Sequence, residues 1–542
     1  MIKRTLYIVC FFWLFSISPV LAQQAIGKKD RLKLEKADQL VKDQLLTEAI
    51  EIYEDVLARN HDNAAIQLAL ASIYLKLHNS EEALRWYAGV LDRSTFQLPV
   101  AYDPVHIYQY AELLQGEDKQ EDALYWYRIY QGIRPDDTRS ARKMEGIRTI
   151  PNWKRDADKF KIKEVSFNSR FADFSPSFYE DGLVFVSGRE ESGKSNAGAE
   201  YLDLYYCMLS GEEAVGEIQK MDARINTSLH EGPAVFYDQY QKMIFTRNDA
   251  TIKRNRNEEK VVVHLQLYYT EKIAGTPEWK QPTLLPMNDP GYSVAHPAIN
   301  EAGTLLYMAS DMPGGYGNTD LYVCEWQNGK WGAPKNLGSD INTEGDEMFP
   351  FLLGDTLYFA STGHPGLGGL DIYKAAMGSV DVINVGYPIN SVRDDFGFIL
   401  RPDAQTGYFS SDRKRSETGQ HSDIYRVEMQ AAPPVEKEEP LVYEEPEAEP
   451  LPDIYYTIQI LALKETELVG KWFMKDLQGV LIHDGKDGFH RYTYGTFSTL
   501  EGALNALEGI RAKGYSDAFI RQEERYKDLS LRPGVMVDTL YR

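Results

Sequence analysis

Three stretches of the chain bring together residue types that could break bonds or hold an ion. Gly291-Tyr292-Ser293 is the nearest approach to Gly-x-Ser-x-Gly, in which a sharp turn exposes a serine nucleophile, but Ala295 stands at the final glycine position. His230-Glu231 begins like the His-Glu pair of a zinc-protease helix, yet Gly232 and Pro233 follow and no second histidine does. Asp311 and Asp320 flank a glycine-rich turn that could hold a cation, although a tight turn alone explains the glycines. Cys207 and Cys324 have no suitably spaced histidines and make no zinc pattern. From these residues the sequence predicts no catalytic group, no metal site and no cofactor, and the chain reads as not an enzyme.

The elements that would position such groups begin after an address. Lys3 and Arg4 precede an apolar run from Leu6 to about Val20, and Val20-Leu21-Ala22 suits a signal peptidase. A cleaved signal peptide over residues 1–22 is expected, and Tyr7-Ile8-Val9 before Cys10 lack the small residue of a lipobox. No later stretch is long and apolar enough to span a bilayer, so the expected location is periplasmic and the mature chain is not membrane-spanning. The 542 residues imply several domains, and 43% hydrophobic against 26% charged residues supplies material for their cores. With 59 basic and 81 acidic residues the net charge is −22, which opposes approach to phosphate backbones and predicts no nucleic-acid partner.

Ala49 and Tyr53 recur as Ala83 and Tyr87, 34 residues on, and again as Ala123 and Tyr127. Small residues also recur at Ala37, Ala71 and Ala111, each 12 before the second alanine. Antiparallel helices touch closely only where small side chains let them, and the tyrosine fills the adjoining groove. The pattern resembles tetratricopeptide repeats over residues 29–150, with Pro135 where that family often ends its second helix. The resemblance implies a short superhelix that holds protein partners.

From about Phe160 the pattern turns to short alternating strands. One marker is an asparagine closing a strand, at Asn168, Asn226, Asn288, Asn342 and Asn390. The other opens a later strand, at Asp203-Leu204-Tyr205, Gln266-Leu267-Tyr268, Asp320-Leu321-Tyr322, Asp371-Ile372-Tyr373 and Asp423-Ile424-Tyr425. Two more strands lie between the markers, as in Glu347–Phe351 and Thr356–Ser361. These units resemble the WD40-like PD40 repeat, which implies an all-β five-bladed propeller over residues 159–429. The segment 161–167 has no blade before it, and the fifth blade loses its outer strand, so 161–167 is expected to pair with 423–427 and close the ring. Cys207 and Cys324 then lie on blades one and three, too far apart for a disulfide.

Residues 430–453 are rich in Pro and Glu and read as an extended linker. Beyond them the strands and helices follow a β-α-β-β-α-β order over 454–525, with a tail at 526–542. Tyr456-Thr457-Ile458-Gln459-Ile460 and Arg491-Tyr492-Thr493-Tyr494-Gly495-Thr496-Phe497 look like a SPOR domain. That resemblance implies an α+β fold with one open sheet face, and binding of peptidoglycan glycan strands stripped of stem peptides. Alternation puts Ile458, Ile460, Tyr492 and Tyr494 against the helices. It leaves Tyr455, Thr457, Gln459, Phe489, Arg491 and Thr493 on the open face as the candidate peptidoglycan-binding residues. Their amide, hydroxyl and guanidinium donors beside aromatic rings suit a sugar strand.

The multidomain order is similar to that of tetratricopeptide–propeller periplasmic proteins of Bacteroidota, which are tied to gliding and type IX secretion. The expectation is therefore a non-catalytic periplasmic scaffold that binds envelope proteins through repeats and propeller and glycan strands through the SPOR-like domain. The alternative is a propeller-centred enzyme or small-ligand sensor. Its mark would be carboxylates or histidines converging at the mouth of the propeller channel.

Overall fold

The computed structural model describes residues 27–91, 103–189, 201–248, 264–429, 453–463, 480–484, 490–497, 500–525 and 537–538, apart from isolated positions within them. The expected signal peptide, most of the Pro/Glu-rich linker and the first C-terminal helix lie outside the described residues. No helix among the described residues is long and apolar enough to cross a membrane.

The N-terminal domain is built from α1 (Lys28–Lys42), α2 (Leu46–Leu57), α3 (Ala64–Lys76), α4 (Ser80–Val90), α5 (Val105–Gly116), α6 (Gln120–Ile133) and α7 (Arg139–Arg155). The recurring small residues are where helices meet: Ala37, Ala49, Ala71, Ala83, Ala111 and Ala123 are all completely buried. Tyr53, Tyr87 and Tyr127 are buried beside them. Asn63 and Asn79 start α3 and α4 by accepting from the amides of Ile66 and Glu82, which satisfies donors a helix leaves open at its N-terminus.

The middle of the chain forms five antiparallel sheets, and their innermost strands touch in cyclic order around a ring. Those strands are Asp173–Tyr179, Glu231–Tyr237, Val294–Ile299, Glu347–Leu353 and Asp395–Leu400, in blades 1 to 5. The fifth sheet takes its outer strand, Phe160–Glu164, from the start of the domain, antiparallel to Asp423–Met429 with Phe160 opposite Met429 and Glu164 opposite Tyr425. The expected closure is present. It ties the two ends of the ring together and leaves no open edge between first and last blade.

The asparagine marker has one repeated job. Asn168 brackets Ile424, accepting from its N–H and donating to its C=O. Asn226 does the same to Leu204, Asn288 to Leu267, Asn342 to Leu321 and Asn390 to Ile372. Each bracketed residue follows the marker that opens the third strand. A primary amide offers one acceptor and two donors in one plane, so it satisfies a buried peptide unit that has lost its ladder partner. Cys207 and Cys324 are free and buried on blades 1 and 3, and burial pushes both thiols up to about 12.

The two domains are docked. A glycine-rich loop of blade 4 carries Leu367 into the apolar core of α5, α6 and α7. Alongside it Thr138 and Arg142 reach Glu344, and Arg393 pairs with Glu117 at 3.0 Å.

The C-terminal strands are ordered Phe519–Arg525, Asp453–Leu463, His490–Phe497, Val480–Asp484 and Val537–Asp538. Ile458, Ile460, Tyr492 and Ile520 pack on Ala503, Leu507 and Ile510 of α8 (Leu500–Ala512), with Tyr494 at the edge of that core.

Candidate functional site

Chemistry at a propeller is expected where the innermost strands begin, and the five blades can be compared there position by position. Five residues after each asparagine marker, four blades carry a buried carboxylate: Asp173, Glu231, Glu347 and Asp395. Each is held by the hydroxyl-bearing residue that follows its asparagine. Ser169 N, Thr227 N, Thr343 N and Ser391 N all donate to it. In blades 1, 2 and 5 an arginine completes the clasp, Arg189 to Asp173 at 2.7 Å, Arg247 to Glu231 at 3.0 Å and Arg413 to Asp395 at 2.5 Å. Each guanidinium also donates to the carbonyl before the asparagine and lies over two aromatic rings. Buried carboxylates with every lone pair taken are structural. Glu231 is such a clasp. Its neighbour His230 accepts from Leu202 N, so the pair carries no zinc-protease geometry.

Blade 4 departs from this clasp, and its departure has a structural account. His364 replaces the arginine and meets the carbonyl of Ile341 at 2.9 Å, while Glu347 receives only hydroxyl and amide donors from Thr343 and Ser361. Burial pushes the Glu347 carboxyl up to about 8 and His364 down to about 4. The same loop is the one captured by the helical domain.

Blade 3 departs more sharply. Val294 stands opposite Ser310 where Asp173, Glu347 and Asp395 stand opposite Ser187, Ser361 and Ser411, so a valine takes the carboxylate position. Ser293, one residue earlier, donates its N–H to Asp311 Oδ1 at 2.6 Å, as Asp394 donates to Asp412 in blade 5. Ser293 Oγ accepts from Leu265 N at 3.1 Å and lies 3.4 Å from His264 Nδ1. Burial raises the Asp311 carboxyl, with the nearby His264 opposing. A hydroxyl that accepts from an amide still has its proton to give. In the tautomer that leaves Nδ1 bare, that proton points to His264. Ser293 directly precedes the inner strand of blade 3, so no strand-to-helix elbow is formed. Ser293 is positioned by the blade repeat itself.

The axis of the ring is filled. The third residue of each inner strand sits at a bulge, and Ser175, His296, Phe349 and Gly397 take φ of 49°, 53°, 52° and 60° there. Ser410 and Thr246 hydroxyls accept from the amides of Ser175 and His296 across the blade boundary. His296 stacks on Phe349 at 3.8 Å, and Phe349, Phe396 and Phe174 continue the stack. Burial pushes His296 down to about 3, so the plug is uncharged at neutral pH. Ser293, His264 and Asp311 meet outside this plug, just before the inner strand of blade 3.

The remaining sequence candidates fall elsewhere. Asp320 accepts from Tyr316 N, Gly317 N and Asn336 Nδ2, which makes the 314–320 segment a satisfied turn. Of the C-terminal candidates, Thr457, Gln459 and Thr493 are only 2%, 8% and 1% exposed, where an open face was expected. Thr457 Oγ1 donates to Gly495 O at 2.7 Å. The side chains of Tyr455, Phe489 and Arg491 lie outside the described residues. Sequence reasoning passed over His264 and treated Asp311 as a turn residue. The sequence carried no repeat signal for the pair: His264 and Ser293 are 29 residues apart and meet only in the fold.

A tetratricopeptide repeat family model matches residues 40–97, within the N-terminal helices. No curated protein sequence matches the chain. Among solved structures the chain is similar to Zg3597, a family 117 glycoside hydrolase of the marine bacterium Zobellia galactanivorans, at 10% identity over 50% of this chain and 90% of that one, with a TM-score of 0.34. It is similar to an α-L-arabinofuranosidase from Lactobacillus brevis at 10% identity over 48% and 92%, TM-score 0.29. A puromycin-hydrolyzing peptidase of Mycobacterium tuberculosis is similar at 12% identity and TM-score 0.27, and the alignment spans 45% of this chain and less than half, 44%, of the peptidase. At that likeness no substrate or residue role is transferred. These neighbours are glycoside hydrolases and a peptidase by name, so the expectation of a non-catalytic scaffold, and of a chain that is not an enzyme, finds no support in them and is not carried further. That expectation weighed Ser293 only as part of a nucleophile elbow, whereas the structure brings it beside His264 and Asp311 without one.

Proposed function

We propose that the protein is a propeller-centred hydrolase, with Ser293 as nucleophile and His264 as its base. The observation that carries this reading is the 3.4 Å approach of Ser293 Oγ to His264 Nδ1. Resting-state contacts of nucleophile and base are commonly longer than those of the working complex. Ser293 Oγ attacks an ester or amide carbonyl carbon while its proton passes to His264. The imidazolium returns that proton to the leaving alcohol or amine, and water repeats the sequence on the acyl-serine to release acid and free serine. Asp311 fixes the backbone of Ser293 and places negative charge beside the imidazolium that forms. The test is release of p-nitrophenol from p-nitrophenyl acetate by the full chain. Ser293→Ala and His264→Ala should each lower the rate by about 100-fold or more. Equal rates for wild type and Ser293→Ala would remove the reading.

The same proposal takes the propeller as PD40-like and the chain as periplasmic, with a SPOR-like C-terminal domain that carries the hydrolase to peptidoglycan glycan strands. Binding there requires the sheet face that holds Thr457, Gln459 and Thr493 to open. Cosedimentation of the full chain with sacculi, before and after amidase removal of stem peptides, tests it: binding should rise after amidase, and no binding in either state would leave the domain without this partner.

A further inference from the structure

The loop of blade 4 that enters the helical domain is held there as a peptide is held. Gln115 Nε2 on α5 donates to Leu367 O at 2.9 Å, and Lys143 Nζ on α7 donates to Gly368 O at 2.9 Å. Both donors are buried, Lys143 at 1% exposure, and Tyr127 on α6 fixes the Gln115 amide by donating to its Oε1 at 2.9 Å. Leu367, 1% exposed, fills the apolar space among α5, α6 and α7. Gly146 on α7 has no side chain because the loop backbone needs the room. A Cβ there would stand 2.3 Å from Gly366 O and 2.5 Å from Gly366 N. The contacts are to main-chain carbonyls, one apolar side chain and glycine backbone, so they recognise a Gly-Leu-Gly turn by its main chain and its one apolar side chain.

The loop's shape belongs to the propeller. Blade 3 builds the same turn, with Gly315 against Asp320 as Gly366 lies against Asp371, and Gly317 N bonded to Asp320 as Gly368 N is bonded to Asp371. There the residue matching Leu367 is Tyr316, and it is 54% exposed. The turn thus forms without a helical domain over it, and its capture in blade 4 is a separate event.

We propose that the groove between α5 and α7 is a peptide-binding site occupied in cis by residues 363–369, and that it accepts from a partner a segment carrying Gly-Leu-Gly in the same turn once that loop withdraws. This site is independent of the Ser293 reading and stands or falls without it.

The probe is a fluorescently labelled synthetic peptide of residues 362–371, added to the full chain. Leu367→Ala weakens the cis loop, so the peptide should bind that chain at least tenfold more tightly than wild type. Adding Gln115→Ala should abolish the gain. Gly146→Ala also expels the loop but fills the groove, so that chain should bind no peptide. Equal binding by wild type and Leu367→Ala, or binding indifferent to Gln115 and Gly146, would overturn the proposal. If Leu367→Ala fails to fold, the wild-type chain is followed by hydrogen exchange at 366–369 as peptide is added: faster exchange supports displacement, and unchanged exchange overturns it.

Discussion

Glu347 lacks the arginine partner that its counterparts have in blades 1, 2 and 5. For Glu347 the result is a carboxyl that keeps its proton in the fold, with a pKa of about 8 against roughly 4.3 in the unfolded chain. A raised acid binds more protons folded than unfolded, so its contribution is complete below the unfolded value and is lost as pH rises through about 8. Glu347→Gln keeps the hydrogen bonds of the neutral acid and removes the titration. Denaturant unfolding at pH 5 and pH 8.5 should show a smaller loss of stability for Glu347→Gln than for wild type, by on the order of a few kcal/mol. An identical loss in both would mean that the carboxyl ionises freely. At this scale the asparagines were legible, because one residue type recurred at one place. Ser293 was not, because its meaning lies in His264, which is 29 residues away in sequence and meets it only across a blade boundary.

The elements were read well where periodicity is set by packing. The buried alanine–tyrosine series fixed the helix pairs, and the two strand markers fixed five sheets with their closure. The asparagine clamp accounts for the second success, and it can be measured. Asn390→Ala leaves the buried N–H and C=O of Ile372 without partners and should destabilise the propeller by about 2–4 kcal/mol, seen as a lowered melting temperature. Ring closure has its own test. Ile162 lies opposite Val427 in the closing strand, so Ile162→Asp should open the seam and make the 160–164 strand an early site of limited proteolysis. The C-terminal sheet was legible in its helix-facing residues, whereas the opposite face was read as open and holds three buried polar side chains, Thr457, Gln459 and Thr493. Alternation tells which residues share a face. It does not tell what covers that face.

In the whole molecule the docking of repeats onto propeller was illegible, since Leu367 sits among glycines and reads as a loop tip. Its burial depends on Gly146, more than two hundred residues earlier, and a glycine in mid-helix gives no sign of what approaches it. Gly146→Ala should favour α7 by about 1 kcal/mol of helix propensity, yet push the loop out. Small-angle scattering should then report a larger radius of gyration for Gly146→Ala than for wild type, with helix content unchanged by circular dichroism. The loops that lead into the inner strands of blades 4 and 5 lie on the face the helices cover. The most direct measurement is labelling of the full chain with a fluorophosphonate, followed by peptide mapping. The account predicts a single modified residue, Ser293, with labelling lost in Ser293→Ala and in His264→Ala chains that melt as wild type does. No label on the wild-type chain, or label that persists in Ser293→Ala, would contradict it.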